Sequence, residues 1–151
     1  MDATALELNF RKSLTKYLVD SLPTVNFMFD WSAADPNIRS KTMTAWIVVD
    51  LKKFERGHLS EAWVDFYIST RQDMDSWANS QLSDTLVSIF FDETKTDGLA
   101  RIPFYDGSSN PWVVIGAILA QELFEFPPRY VIEDETKVKI VSARLRWASK
   151  I

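Results

Sequence analysis

The sequence predicts an α+β fold: an antiparallel sheet, two helices packed on one of its faces, and a long hairpin or arm in the C-terminal half. Residues 43–52 and 61–69 each alternate between apolar and polar side chains, which predicts two strands of an antiparallel hairpin. Residues 73–91 follow as an amphipathic helix, with Thr70 or Asp73 as its cap. The apolar stripe of that helix comprises Met74, Trp77, Ala78, Leu82, Leu86, Ile89 and Phe90.

Before the hairpin, the pattern predicts one helix and one short strand. Residues 4–22 carry an apolar stripe at helical spacing, and Thr4 and Glu7 have the spacing of a capping box. Residues 24–31 alternate as a short strand, and residues 32–41 are rich in turn-forming types. The first helix is therefore followed by a short strand and then by an exposed loop that leads to the hairpin.

After the second helix, the chain predicts further strands. Residues 99–105 form a short strand that must lie at an edge or a bulge, because Pro103 has no N–H to donate. Residues 112–124 are apolar and favour a long strand, although residues 117–125 suit a helix equally well. Residues 137–147 alternate again and form the last strand.

Composition excludes several classes of protein. The 151 residues are 46% hydrophobic and 25% charged, which fits a single globular domain over residues 1–151. A net charge of −4 argues against general binding to nucleic-acid backbones, which requires clustered Lys and Arg. The absence of Cys excludes disulfides and thiol chemistry. With no signal-peptide pattern and no apolar run longer than residues 112–120, we expect a soluble protein.

No group of residues in the sequence predicts a reaction. His58 is the only histidine, so neither a histidine triad nor a multi-histidine metal site can form within one chain. Glu122 and Glu125 are candidate paired carboxylates, but in a strand they point to opposite faces. Residues 106–109 and the acidic residues 133–135 are most simply explained as turns. We therefore predict no catalytic residue, no cofactor site and no metal site.

One face of the predicted hairpin is more apolar than a solvent-facing sheet should be. The face opposite the helix-packed one carries Trp46, Val48, Trp63 and Tyr67. Two interpretations remain open: a second layer from the same chain covers this face, or a neighbouring subunit does. On one face of the last strand, Arg144 and Arg146 are candidates for contact with a partner or with the lumen of an assembly.

The order and sizes of these elements resemble a known family. A capped helix, a short strand and loop, an aromatic-rich hairpin, the striped helix at 73–91 and a closing strand ending in Arg-Leu-Arg-Trp follow one another. This arrangement resembles the tail terminator proteins of long-tailed bacteriophages, also called tail completion or tail-to-head joining proteins. Residues 103–126 are longer than expected for the smallest members, and such an insertion suits an arm that reaches a neighbour.

The resemblance implies a structural virion protein without catalytic residues. Members of that family form homohexameric rings that cap the tail tube, stop its polymerisation and present a docking surface for the head–tail connector protein. The partners implied are further copies of the chain, the tube protein and the connector, with no membrane and no specific nucleic-acid binding, although DNA would pass through the ring. The location implied is the head-proximal end of the virion tail, reached from the host cytoplasm during assembly.

Two alternatives remain open at the level of sequence. The same features suit another ring component of the phage neck or baseplate. A protein of a different class, a monomeric domain that binds a small ligand or an enzyme that uses carboxylates, would instead have its aromatic residues lining a pocket.

Overall fold

The computed structural model describes residues 1–30, 43–131 and 135–150. The predicted loop at 32–41 and residues 133 and 134 of the predicted acidic turn lie outside the described residues. The elements are a 3₁₀ turn (Ala3–Ala5), α1 (Glu7–Ser21), β1 (Phe27–Phe29), β2 (Ala45–Glu55), β3 (Leu59–Arg71), α2 (Trp77–Ser88), β4 (Ile102–Asp106), β5 (Val113–Glu125), β6 (Arg129–Val131) and β7 (Thr136–Ala148). The predicted α+β class is confirmed.

The strands form one sheet in the order β1-β2-β3-β7-β5-β4, and β6 pairs with the start of β7. Neighbouring strands are antiparallel except for β1 and β2, which run parallel with Phe27 opposite Ile47 and Phe29 opposite Val49. The sheet is therefore mixed, where a purely antiparallel one was expected. Alternation within a short strand does not reveal in which direction the strand runs relative to its neighbour.

Both helices pack on the same face of the sheet, as predicted. From α1 come Phe10, Leu14 and Leu18, and from α2 and the turn after it come Leu86 and Phe90. The sheet completes this core with alternate buried residues: Ile47, Val49, Ala62, Val64, Phe66, Ile68, Val141, Ala143 and Leu145. Within the described residues, no helix is long and apolar enough to span a membrane.

The first helix starts later than predicted, and its capping box is wrong. The Asp2 carboxylate accepts the Thr4 backbone N–H at 2.9 Å and so caps the short 3₁₀ turn. Leu6 then adopts an extended conformation and separates that turn from α1, which has no side-chain cap. Thr4 cannot pair with Glu7 as a capping box does, because the two residues belong to different helical segments.

The second helix is shorter than predicted, and its buried face is rotated. Its inward residues are Asn79, Ser83 and Leu86, whereas Met74 and Trp77, placed in the predicted apolar stripe, lie in solvent. The buried Asn79 amide donates to the Ile68 carbonyl at 3.0 Å and to the Thr70 hydroxyl at 3.3 Å. The later residues of the predicted stripe, Leu82, Leu86, Ile89 and Phe90, do pack against the core, so the stripe is confirmed there. It is wrong at Met74, Trp77 and Ala78, which are exposed, because the hydrogen-bonded Asn79 amide nitrogen takes the inward position in the first turn.

The predicted cap of this helix is confirmed in its chemistry. The Asp73 carboxylate accepts the backbone N–H groups of Asn79 at 2.9 Å and Ala78 at 3.3 Å, and it accepts the Thr70 hydroxyl at 3.1 Å. These bonds satisfy N–H groups that have no partner within the helix. They act from outside the helix, because Ser76 occupies the position next to its first residue.

The C-terminal half joins the same core. Residues 117–125 are strand and not helix, and Pro103 lies in β4, the edge strand, as its missing N–H requires. Ile102, Phe104 and Ile118 are fully buried. The long strands β5 and β7 pair antiparallel, and the first half of β5 runs past the end of β7 to pair with β4.

A bulge in β2 shifts its alternation. Leu51 pairs with Val64 and Lys53 with Trp63, which leaves Lys52 as an additional residue between them. Beyond the bulge, Phe54 faces the core, where its ring centroid lies 5.6 Å from that of Trp147. The bulge therefore returns an apolar side chain to the core face, which strict alternation from Leu51 would have turned away.

Candidate interaction surfaces

The face of the sheet away from the helices, called the outer face here, contains the four predicted interface residues. Trp46 is only 6% exposed, while Val48, Trp63 and Tyr67 are partly buried. The Arg71 guanidinium lies 4.7 Å from the Trp46 ring centroid and donates to the Met43 carbonyl at 3.1 Å. Trp46 therefore already has contacts within its own chain and has little surface left for a partner.

Trp63 forms the centre of an aromatic patch on the outer face. Its ring stacks on Phe124 with centroids 6.1 Å apart and planes 12° from parallel, and the Arg144 guanidinium lies 5.9 Å from the Trp63 centroid. Phe124 is 45% exposed. The sequence pattern does not predict Phe124 at this patch, because its position beside Trp63 depends on β7 lying between β3 and β5.

Four charged residues form a network beside that patch. The Glu61 carboxylate accepts Arg144 Nε at 2.7 Å and Arg144 Nη2 at 3.1 Å, and it accepts the Trp63 indole N–H at 3.1 Å. Arg146 Nε lies 3.4 Å from the same carboxylate, and Arg144 Nη1 donates to Glu122 at 3.2 Å. Two cations thus face two anions within one chain.

This network changes the electrostatics expected of the two arginines. The hydrogen bond from Arg144 lowers the pKa of Glu61 and raises the pKa of Arg144 itself. Arg144 and Arg146, predicted to contact a partner or a lumen, therefore lie on the outer face as neutralised partners of Glu61 and Glu122. What the outer face offers a partner is chiefly the Trp63–Phe124 stack.

A second surface, called the α1 groove, was not predicted. It lies between α1 and the loop that joins β4 to β5, is open to solvent, and has a volume of about 800 Å³. Its apolar lining includes Leu8, Val19, Tyr105, Pro111 and Trp112. The Tyr105 and Trp112 rings lie 6.1 Å apart, with Lys16 Nζ 5.8 Å from the first and Lys12 Nζ 5.6 Å from the second.

Hydrogen bonds between α1 and the loop hold the groove open. The Tyr105 backbone N–H donates to the Ser13 hydroxyl at 2.8 Å, and the Gly107 N–H donates to Asn9 Oδ1 at 3.1 Å. A Cβ at Gly107 would lie 2.7 Å from Lys12 Cδ, so only glycine allows the lysine stem to pass this close. The groove is thus formed before any ligand arrives, as binding sites usually are.

The remaining candidate groups are engaged locally. Glu122 bonds Arg144 and Glu125 bonds Lys139 at 2.8 Å, so these two carboxylates act separately, as the strand pattern predicted. The Asp106 carboxylate accepts the Ser108 backbone N–H at 3.0 Å, which closes the turn at 106–109. His58 lies in the exposed turn between β2 and β3.

Comparison with known proteins shows a fold shared with a solved structure but does not assign the chain to a family. No family model matches the chain. No curated protein matches it either. One solved structure, which carries only a sequence identifier as its name, superposes with a TM-score of 0.65 over 97% of this chain and 98% of its own, at 9% identity. At that identity the likeness shows a shared fold alone.

A second solved structure gives a weaker likeness. It belongs to the virion of a native gene transfer agent (GTA) particle and aligns over 97% of each chain, at 18% identity and a TM-score of 0.39. A superposition at that score does not establish a common fold. It therefore carries no argument about what this chain does.

Proposed function

We propose that this protein is a structural component of a phage virion, which forms a ring that caps the tail tube. One observation carries the proposal. The hydrophobic core is already filled, yet the chain has two separate surfaces with accessible aromatic side chains. The Trp63–Phe124 stack lies on the outer face, and Tyr105 and Trp112 line the α1 groove. Two different contact surfaces are what a head-to-tail assembly requires, and such an assembly closes into a ring when the rotation allows.

The order of elements supports the same proposal. Helix, short strand, long hairpin, second helix and closing strand follow one another as the resemblance to tail terminators implies. In this role the ring stops polymerisation of the tube and presents its other side to the head–tail connector. The protein acts by contact, without catalysis, at the head-proximal end of the tail.

The outer face is proposed as one contact between copies. Val48, Trp63 and Tyr67, together with Phe124, form the part of the predicted interface that a neighbour can still cover. Aromatic residues that are partly exposed and held rigidly are favoured at interfaces, because little conformational entropy is lost when they are buried. Trp46 supports this surface from within the chain.

The test is assembly with the tube protein encoded in the same genome. The two proteins are produced together, and the products are examined by native mass spectrometry and negative-stain electron microscopy. A ring of six copies at one end of tubes of limited length is the expected result. If the tubes grow without limit and this protein does not bind to them, the proposal is overturned.

A second candidate function rests on the α1 groove. Its volume of about 800 Å³ lies within the range of small-molecule sites, so a monomeric ligand-binding domain is the rival. The rival predicts a monomer at all concentrations, with and without tube protein, and a thermal shift with members of a small-molecule library that Trp112→Ala abolishes. Assembly into rings without any such ligand would exclude it.

A further inference from the structure

The turn before α2, together with the first residue of that helix, presents the two most exposed large apolar side chains in the described chain. Met74 is 92% exposed and Trp77 is 78% exposed, although they are separated by only two residues. Asp75 lies between them, is exposed, and has no partner within the part of the chain that the structure describes. Single exposed apolar residues are common on proteins, but a Met–Trp pair at one protrusion marks a contact site.

This turn, called the 72–77 turn here, is held in place by hydrogen bonds. Lys137 Nζ donates to the Met74 carbonyl at 2.8 Å and to the Ser76 hydroxyl at 2.9 Å, while the Asp73 carboxylate caps α2. Gln72 and Ser76 have φ values of 55° and 60°, which non-glycine residues rarely adopt. Backbone strain that the surroundings maintain occurs preferentially at functional sites. A protrusion fixed in this way loses little entropy when it binds.

The α1 groove has the complementary chemistry. Its floor is apolar and aromatic, and its lining includes the cations Arg11, Lys12 and Lys16 but only one anion, Asp20. Lys12 donates to the Gly107 carbonyl at 3.4 Å and has no carboxylate partner among the described residues. An exposed apolar turn whose carboxylate has no partner among the described residues therefore matches a groove whose Lys12 ammonium group has no carboxylate partner among them.

The two features lie at opposite ends of the sheet. The 72–77 turn follows Arg71, which pairs with Thr136 at one end of the β3–β7 ladder. The other end of that ladder is the pair of Leu59 and Ala148, and β5 runs beyond it towards Trp112 and the groove. The turn therefore cannot reach the groove of its own copy.

We propose that the 72–77 turn of one copy docks in the α1 groove of the next, with Met74 and Trp77 against Tyr105 and Trp112 and with Asp75 beside Lys12. The occupant of the groove is thus a second copy of this chain. This inference rests on the proposed function, because it names what occupies the α1 groove in the ring, as a contact between copies in addition to the one at the outer face. Since donor and acceptor surfaces differ, the contact is head-to-tail and propagates from copy to copy until the ring closes.

A cross-linking experiment tests the pairing directly. The chain contains no Cys, so Asp75→Cys and Lys12→Cys together place the only two thiols at the proposed contact. A short bis-maleimide is expected to give a ladder of covalent oligomers that ends at the ring size. Each single variant is the control, and it yields at most a dimer. A double variant that assembles into rings but gives no ladder beyond that of the controls would overturn the docking.

Substitution of the protrusion provides the second measurement. Trp77→Ser is expected to weaken self-association roughly thirtyfold, the loss typical of a hot-spot residue, while the circular dichroism spectrum and Tm stay unchanged. Leu59→Ser removes another exposed apolar side chain, one that belongs neither to the 72–77 turn nor to the lining of the α1 groove, and should leave association as in the wild type. Rings that form equally well with Trp77→Ser would refute this contact while leaving the capping function intact. If Trp77→Ser abolishes ring assembly while the wild-type rings never bind tube protein, the contact is supported and the capping function is refuted.

Discussion

Glu61 connects most of the polar groups on the outer face. Its carboxylate accepts hydrogen bonds from both Arg144 and Trp63, and a glutamine in its place keeps one acceptor oxygen but loses the negative charge and the second acceptor that Arg144 uses. We expect Glu61→Gln to lower the free energy of unfolding by about 1 kcal/mol at neutral pH, measured by urea denaturation. Asp20→Asn, which disturbs an exposed pair with Lys16 on α1, is the control and should change little.

The same residue predicts a dependence on pH. The hydrogen bond from Arg144 lowers the pKa of Glu61 in the folded state, while in the unfolded chain a glutamate has a pKa of about 4.3. Its contribution to stability is therefore complete above that value and is lost as the pH falls through the lower, folded pKa. The difference in stability between wild type and Glu61→Gln should shrink below about pH 4.3. A difference that stays constant down to pH 2.5 would contradict this assignment.

Asp73 shows how one carboxylate positions a helix. Burial raises its pKa, but the N–H groups of Asn79 and Ala78 outweigh that effect and leave the pKa lowered. We expect Asp73→Ala to reduce the free energy of unfolding by about 1–2 kcal/mol, the usual loss for a capping residue. Asp75→Ala, two residues away and without a partner in the described chain, is the matched control for stability. Equal effects of the two substitutions would show that Asp73 does not act as a cap.

At the scale of elements, local alternation predicted a strand wherever nothing interrupted it. In β3 and β7 every predicted face is correct, because each strand is paired over its whole length. The failures have causes outside the element concerned. The bulge at Lys52 lies in the pairing of β2 with β3, the buried Asn79 amide binds the Ile68 carbonyl of β3, and the parallel direction of β1 is defined only by its pairing with β2. Phe124 escaped notice in the same way, since only strand order brings it beside Trp63.

The first half of β5 tests whether the C-terminal half belongs to the core or is an arm. Ile118 is fully buried against the same core as α1, so Ile118→Ala should cost about 3 kcal/mol in the free energy of unfolding. Val114, in the same strand, is exposed, and Val114→Ala should stay within about 0.5 kcal/mol. Chemical denaturation of both variants measures the difference. If Ile118→Ala were as mild as Val114→Ala, this segment would pack against a neighbouring copy instead.

At the scale of the whole molecule, the chain separates its stabilising surfaces from those that it leaves free. The helices and one face of the sheet form a closed core, while the outer face, the α1 groove and the 72–77 turn keep large apolar side chains in contact with water. Such side chains add little to the stability of the single chain. They become buried only when copies meet, which links the architecture to assembly.

Trp63→Glu separates these two roles on the outer face. The side chain is only partly buried and stacks on Phe124, which is itself partly exposed, so the variant should fold and lose at most about 2 kcal/mol of unfolding free energy. Assembly should be abolished, because the ring that a neighbour would cover is lost and a charged carboxylate would have to be desolvated between copies. Trp63→Phe keeps the stacked ring and should still assemble. Circular dichroism and sedimentation velocity measure the two properties side by side. An unfolded Trp63→Glu would mean that this ring belongs to the core of the single chain, and a folded variant that assembles normally would mean that the neighbour docks elsewhere.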